Sequence, residues 1–235
     1  MTNWPSQVAA FKQALQASSA DNIDIVIACA GIAGASMLQD APFTTPTTTG
    51  DPPPPSFQLA MINVNLVGAM YTATLAAHYW QQRPAARRTD NVLVMVASNI
   101  AYYPSPGFTG YAASKWGVRG MWKALRGTPQ FERSFRTNLL APHIVRSPMT
   151  AGLQPIVDAK GFKMVEIADC VDCLMRFCCD EEIKGRAVEV NPEGSWFDLC
   201  DDMEGGDGVK AFNEHHPKET RPLFDFLENP DVSMT

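Results

Sequence analysis

The sequence comprises 235 residues, of which 46% are hydrophobic and 19% charged, and this length and composition predict one domain with a full core. Its net charge of −6 argues against nucleic acid or an anionic membrane surface as a partner. The six cysteines suggest no disulfide framework, and we see neither an apolar run of about 20 residues for a membrane span nor a signal peptide. We therefore expect a cytoplasmic protein.

The first part of the chain predicts a helix, a strand and a long loop. Apolar residues recur at helical spacing over residues 6–17, and residues 23–30 form the first clear apolar strand. Residues 41–56 are rich in proline and threonine and contain four consecutive prolines, which favour an extended loop. A plain surface loop is the simpler interpretation, and a ligand for a proline-binding module is the alternative.

A long helix and a buried strand follow. Residues 57–82 have the spacing of a helix with Asn65 inside its apolar run, where the side chain could be a hydrogen-bonded core amide. Asn63 is the competing polar position. Residues 92–96 are short, rich in valine and unbroken by polar residues, which is typical of a strand buried on both faces of a parallel sheet.

The stretch from Ser98 to Lys115 carries the groups with chemical potential. A helix begins near Tyr111, and Lys115 lies four residues later, so both side chains share one helix face. A phenol has an unperturbed pKa of about 10, and a nearby ammonium favours its ionised form. We therefore expect Lys115 to lower the pKa of Tyr111.

The last part of the chain predicts two strands, a lid, a helix and a tail. Residues 136–142 read as a strand, residues 149–164 as an apolar lid, residues 166–179 as an amphipathic helix and residues 185–190 as a strand. The pair Cys170 and Cys173 has no second pair or histidine at ligand spacing, so we expect no metal site. We assign residues 1–199 to the folded domain and residues 200–235 to an acidic, partly disordered tail with a short helix around residues 223–227.

The order of these motifs resembles the short-chain dehydrogenase/reductase family. Ser98 precedes Tyr111 and Lys115 at the spacing of the family's Ser/Tyr/Lys signature. Ala28-Cys-Ala-Gly31 stands where the family has Asn-Asn-Ala-Gly, and Pro142-His-Ile-Val-Arg-Ser147 stands where it has Pro-Gly-x-Val-x-Thr. The resemblance covers about residues 2–198. It implies a Rossmann-like α/β fold with a doubly wound parallel sheet.

The resemblance also implies a role for each site residue. Tyr111 would exchange a proton with a substrate oxygen, Ser98 would hydrogen-bond that oxygen, and Lys115 would lower the tyrosine pKa and hold the nicotinamide ribose. The main-chain carbonyl of Asn65, which Leu66-Val-Gly68 follows as in the family, would hold a water that passes protons to the lysine. His143 replaces the family's usual glycine; either it is tolerated there, or it serves as a general base. The implied cofactor-binding residues are Ala30, Gly31, Asn65, Tyr111, Lys115, Pro142, Val145 and Ser147.

Similarity to fungal members of the family implies a substrate class. Tyr-Ala-Ala-Ser-Lys-Trp-Gly-Val-Arg-Gly and Ser-Pro-Met-Thr are most like fungal relatives, which suggests a secondary alcohol or ketone of a hydrophobic, polyketide-like metabolite. Related enzymes pair two helices in a four-helix bundle, so a homodimer or homotetramer is implied, with Trp116 and Trp122 suited either to that contact or to the core.

One family feature has no counterpart in the sequence. Members normally carry about sixty residues before the strand at residues 23–30, including the turn Thr-Gly-x-x-x-Gly-x-Gly, on which the cofactor pyrophosphate rests at a helix N-terminus. We therefore expect a fold that lacks its first βαβαβ portion, and the choice between NAD and NADP stays open. The alternative to an enzyme is a truncated, cofactor-free pseudoenzyme or interaction subunit.

Overall fold

The computed structural model describes residues 1–19, 22–33, 56–83, 91–102, 108–128 and 135–201. The predicted proline-rich loop and the tail beyond residue 201 lie outside the described residues, apart from residue 56. The helices are α1 (Trp4–Ala17), α2 (Ser56–Met61), α3 (Gly68–Gln81), α4 (Thr109–Arg126), α5 (Gln154–Ala159) and α6 (Ile167–Cys179), with a π-helical segment at Ile62–Val67 and 3-10 turns at Asn99–Ala101 and Pro148–Leu153. The strands are β1 (Ile25–Ala28), β2 (Val92–Val96), β3 (Arg136–Pro142), β4 (Ala187–Val190) and β5 (Trp196–Asp198).

The five strands form one sheet in the order β1-β2-β3-β4-β5. The first four run parallel, with Ala28 opposite Met95 and Val96 opposite Leu140, and β5 runs antiparallel to β4. The carboxyl ends of parallel strands meet at one edge of the sheet, which is where this architecture binds ligands. The sequence predicted the four parallel strands, and the three-residue strand β5 was not foreseen.

Helices cover both faces of the sheet, as a doubly wound fold requires. One core cluster joins Leu93, Met95 and Leu139 of the sheet to residues of α3 and α4, including the fully buried Trp80 and Trp122. The other joins alternate residues of β2 to Cys173 and Phe177 of α6. Trp122 is therefore a core residue, whereas Trp116 is exposed.

The predicted helix at residues 57–82 is interrupted by the π-helical segment. Such a segment inserts an extra residue into a helical turn and often marks a functional site. Asn65 lies within it and is buried, whereas Asn63 is exposed. Leu59–Gln81 is long and apolar enough to cross a membrane by length and composition alone, which the sequence analysis did not expect. In this fold part of that stretch is buried, including Leu75 and Trp80, whereas Leu59 and Met70 are exposed.

Two apolar side chains of β1 are more exposed than the side chains opposite them on β2. β1 pairs with β2, and among the described residues no strand lies on its other side. Ile25 and Ile27 are 45% and 39% exposed, although they stand opposite the fully buried Val92 and Val94. The apolar layer that covers β2 thus stops short of β1.

Candidate active site

Ser98 is positioned by the end of β2. It is the N-cap of the turn Asn99–Ala101, and its hydroxyl accepts a hydrogen bond from the Ile100 N–H at 3.3 Å. The same oxygen lies 3.4 Å from the Pro142 carbonyl oxygen at the end of β3. Ser98 also lies close enough to the Tyr111 side chain to lower the tyrosine pKa. The predicted serine and tyrosine are therefore in contact.

The pKa of Tyr111 shifts in the direction opposite to our expectation. Burial raises it, and this effect outweighs the lowering by Ser98. Lys115 lies on the same helix face, with its Nζ 5.7 Å from the centre of the Tyr111 ring, but it is not among the causes of the shift. The prediction that Lys115 acidifies Tyr111 was wrong for this state of the site because it considered charge and ignored desolvation.

The side chain of Lys115 is buried, and its ammonium group lies at the end of β2. Its Nζ donates a hydrogen bond of 2.9 Å to the carbonyl of Val96, the last residue of β2. Burial lowers its pKa to about 8, and Cys29 acts in the opposite direction. Lys115 can therefore change its charge near neutral pH, which an exposed lysine cannot do.

Asn65 ties the π-helical segment to the loop after β1. Its side-chain oxygen accepts from the Ile32 N–H at 2.7 Å, and its amide donates to the Ile32 carbonyl and to the Ser114 hydroxyl, each at 3.0 Å. A Cβ on Gly31 would lie 3.3 Å from Asn65 Oδ1 and 3.6 Å from Lys115 Nζ. The absence of a side chain at Gly31 lets three elements meet beside the ammonium.

The loop after β3 completes the edge of the site. Pro142 is the last residue of β3, and Val145 forms a parallel bridge with Val165. Ser147 caps the turn Pro148–Leu153 through reciprocal bonds with Thr150, so its hydroxyl has a structural partner. The structure thus brings Ser98, Tyr111, Lys115, Asn65, Gly31 and Pro142 together, and Val145 and Ser147 are held by the lid side of the loop.

The predicted lid contains two short helices. Met149, Ile156 and Phe162 are exposed, and Val157 is buried. A cleft of about 330 Å³ lies beside this segment and is lined by side chains of both charges, including the ion-paired Arg146 and Glu166. The cleft is lined by the apolar Phe162 and Met164 as well as by charged side chains.

Sequence reasoning missed a buried polar cluster behind the site. Asp201 accepts hydrogen bonds from Arg119 at 2.7 Å, from Lys123 at 2.7 Å and from Tyr102 at 3.0 Å. The Arg119 guanidinium also stacks over the Tyr102 ring at 3.8 Å. The cluster connects α4 to the segment after Ser98, and Asp201, which we had assigned to the tail, is buried in it.

Ser114 was also missed, although its position offered a signal. It directly precedes Lys115 and lies three residues after Tyr111, so it shares a helix face with the tyrosine. Its hydroxyl donates to the Tyr111 carbonyl at 2.7 Å and accepts from Asn65.

Among the described residues, no group of three or more His, Cys, Asp or Glu side chains could hold a metal ion.

Comparison with known proteins agrees with this geometry. The family model for short chain dehydrogenase matches residues 1–156. The chain is 38% identical over 223 residues to 5'-hydroxyaverantin dehydrogenase stcG of Emericella nidulans, an alignment that covers 88% of this chain and 72% of that protein. The chain belongs to the short-chain dehydrogenase/reductase family.

Two further relatives and a solved structure extend the comparison. The 5'-hydroxyaverantin dehydrogenase of Dothistroma septosporum is 34% identical, covering 88% of this chain and 70% of that protein. The NADP-dependent dehydrogenase M3 of Phoma sp. is 31% identical, with coverages of 86% and 64%. A gluconate 5-dehydrogenase from Burkholderia cenocepacia, solved with NADP and tartrate, matches the fold with a TM-score of 0.63 at 18% identity and coverages of 81% and 71%. This short-chain dehydrogenase/reductase is therefore an oxidoreductase with a Rossmann-like fold.

Proposed function

We propose that this short-chain dehydrogenase/reductase interconverts a secondary alcohol and a ketone on a hydrophobic, polyketide-like metabolite, with NAD or NADP as cofactor. The observation that carries the proposal is the grouping of Ser98, Tyr111 and Lys115: Ser98 lies beside the Tyr111 side chain, and the Nζ of the buried Lys115 lies 5.7 Å from the centre of the Tyr111 ring. Fungal relatives named as 5'-hydroxyaverantin dehydrogenases support the substrate class.

The residues present fit the nicotinamide end of the cofactor. Gly31 leaves room beside Lys115 and Asn65, and Pro142, Val145 and Ser147 border the same edge of the sheet. Together with Ala30 and Tyr111, these residues would hold the ribose and the ring. When bound, the cofactor supplies or accepts the hydride. The fit at the pyrophosphate end is poor, because the sequence contains no Gly-rich turn after a strand.

The chain's own residues would move the proton. Because burial raises the pKa of Tyr111, its hydroxyl is protonated at neutral pH and can donate to a ketone oxygen. Ser98 would donate a hydrogen bond to the same oxygen, and Lys115, with a pKa of about 8, would return a proton to the tyrosine. The Asn65 side chain is fully used in binding Ile32 and Ser114, so its part is to hold the loop and the π-helical segment in place.

The test is activity and nucleotide binding in one set of variants. We expect Tyr111→Phe to lower kcat by about 10²–10⁴-fold, because a positioned proton donor contributes that much, while the dissociation constant for NADPH or NADH, measured by calorimetry, stays within threefold of the unmodified protein. Oxidation of the alcohol 5'-hydroxyaverantin with NAD or NADP and reduction of simple aromatic ketones with NADH or NADPH are followed. Equal activity of the two proteins would contradict the proposal.

A cofactor-free interaction subunit is the second candidate, and the exposed Ile25 and Ile27 of β1, beside which the described residues form no further strand, are the observation that favours it. Absence of NADH or NADPH binding at millimolar concentration would support this candidate for the chain as given. The matched sample is the same chain preceded by the family's strand, Gly-rich turn and helix. Binding by the extended protein alone would show that the described site is competent and lacks the pyrophosphate support.

A further inference from the structure

His143 has a buried ring nitrogen with no partner. Its backbone N–H donates to the Val190 carbonyl at 2.9 Å, which fixes the residue between β3 and β4. Its Nδ1 atom is buried and, within the part of the chain that the structure describes, has no hydrogen-bond partner. The ring as a whole is partly exposed. A buried polar atom without a partner costs about 1–3 kcal/mol, so native structures hold few of them.

The environment of the ring selects one tautomer. A neutral imidazole carries its proton on either Nδ1 or Nε2. An unpaired lone pair is tolerated in a protein interior more often than an orphaned N–H group, so the proton belongs on Nε2. That atom is not among the buried ones and makes no hydrogen bond to the described residues. His143 therefore presents a free N–H donor outward.

His143 directly follows a residue of the site. The carbonyl of Pro142, the residue before His143, is 3.4 Å from the Ser98 hydroxyl, and Ser98 contacts Tyr111. In the motif that Pro142 opens, the family's usual residue after the proline is glycine, which offers no side chain. His143 thus carries a polar side chain where the family's usual residue has none, one residue after the carbonyl that lies beside Ser98.

We propose that His143 is a specificity-determining residue, and that its Nε2–H donates a hydrogen bond to a second oxygen of the substrate, separate from the reacting carbonyl. The inference rests on the proposed function and deepens it: the substrate class becomes ketones or alcohols that carry a further hydroxyl or carbonyl group, as hydroxylated aromatic polyketides do. A site built to bind such an oxygen discriminates against the analogue that lacks it.

The experiment compares substrates and variants together. The probes are tetralone, an aromatic ketone, and its monohydroxylated isomers. His143→Phe keeps the ring volume and removes the donor, whereas His143→Gln keeps an N–H near the position of Nε2. For the hydroxylated isomer that the unmodified protein prefers, we expect His143→Phe to lower kcat/KM by about 10- to 100-fold and His143→Gln to restore most of it. For tetralone itself, all three proteins should agree within threefold.

Two outcomes would overturn the inference. One is an equal loss by His143→Phe on hydroxylated and unsubstituted ketones, which would indicate a structural role. The other is the absence of any preference for hydroxylated isomers in the unmodified protein. Calorimetric binding of the same ketones separates this question from turnover. A preference that is present in binding and lost in His143→Phe would sustain the inference even if no reduction occurred, and the proposed function alone would then have failed.

Discussion

At the scale of single residues, the burial of Lys115 costs folding stability and brings the pKa of the lysine closer to neutral pH. Its side chain is buried with one described acceptor, the Val96 carbonyl. Burial lowers its pKa to about 8, so at neutral pH the folded protein still holds a charge that the unfolded chain would solvate better. Spacing along α4 predicted the partnership with Tyr111, but the burial that sets both pKa values depends on packing that the spacing does not contain.

We expect Lys115→Met to be more stable than the unmodified protein at pH 7, by about 1–3 kcal/mol, because a buried charge is replaced by an apolar chain of similar length. Since the pKa is lower in the folded state, the unfolded chain binds more protons between pH 8 and the ordinary lysine range near 10.5, and the stability of the unmodified protein rises with pH there. The advantage of the variant should shrink over that interval.

Urea denaturation at pH 7 and at pH 10 measures both values. The control is Lys12→Met, since Lys12 is an exposed lysine of α1 and its replacement should change stability by less than about 0.5 kcal/mol. The Lys115→Met protein should also be inactive. A destabilised Lys115→Met protein at pH 7 would show that the Val96 hydrogen bond outweighs the cost of desolvation.

At the scale of elements, the π-helical segment and α4 meet at a glycine. A Cβ on Gly117 would lie 2.6 Å from Leu66 Cδ2 and 3.1 Å from Leu66 Cδ1, which is closer than side chains approach. The segment carries Asn65, and α4 carries Tyr111, Ser114 and Lys115. The close approach at Gly117 therefore keeps the Asn65–Ser114 hydrogen bond short.

We expect Gly117→Ala to destabilise the protein by about 1–2 kcal/mol, because the added methyl group displaces Leu66. In a Leu66→Ala background the same change should be neutral or stabilising, since the space is then free. Gly120→Ala is the matched control on the same helix: nothing lies within 4 Å of its added Cβ, so helix propensity should stabilise the protein by about 0.5–1 kcal/mol. Urea denaturation of the unmodified protein, Gly117→Ala, Leu66→Ala, their double variant and Gly120→Ala measures these changes in the free energy of unfolding. Identical effects at both glycines would disprove the contact between Gly117 and Leu66.

The sequence predicted some elements closely and others not at all, for physical reasons. Strand β2 was placed at its observed bounds because an unbroken apolar run leaves little choice. Strand β3 was also placed at its observed bounds, although it begins with Arg136, Thr137 and Asn138 and is not an apolar run. Helical periodicity did not show the π-helical segment, because one extra residue scarcely alters it, whereas the family resemblance implied a distortion of the helix at Asn65. β5 has three residues, two of them partly buried and one exposed. It is therefore too short to show the hydrophobic pattern by which a strand is predicted. The burial of the His143 Nδ1 atom without a partner could not be predicted, because it depends on residues that are distant from His143 in the sequence.

At the scale of the whole molecule, Asp201 fastens the end of the described chain to the active-site helix. Burial alone would raise its pKa, but hydrogen bonds from Arg119 and Lys123 outweigh burial and lower the pKa to about 2. The same cluster raises the pKa of Tyr102, through burial and then through the Asp201 charge. Residues near the end of the sheet thus hold α4 against the segment that follows Ser98.

We expect Asp201→Asn to lower the free energy of unfolding by about 2–3 kcal/mol at pH 7, because the charged partners remain buried without their carboxylate. A carboxyl whose pKa is depressed stabilises the fold above its unfolded pKa, near 3.8, and loses that contribution as the pH falls towards 2. The difference between the two proteins should therefore narrow at pH 3, as measured by urea denaturation.

Asp198→Asn is the control for that prediction. Asp198 pairs with Arg186, but both side chains are about one third or more exposed, so its replacement should cost less than about 1 kcal/mol. If the two substitutions had equal effects at pH 7, Asp201 would be a surface residue in solution and the cluster would not join the helix to the segment after Ser98.

The bare backbone at Gly117 also constrains how this enzyme could acquire new substrates. A bulkier side chain at Gly117 would push the π-helical segment, which carries Asn65, away from α4, which carries Tyr111. Substitutions there that make room for a larger substrate would therefore lower the catalytic rate. The predicted lid at residues 149–164 does not take part in that helix crossing, and its exposed Met149, Ile156 and Phe162 can vary freely. Diversification of ligand choice should thus concentrate in the lid, while the two crossing helices stay fixed.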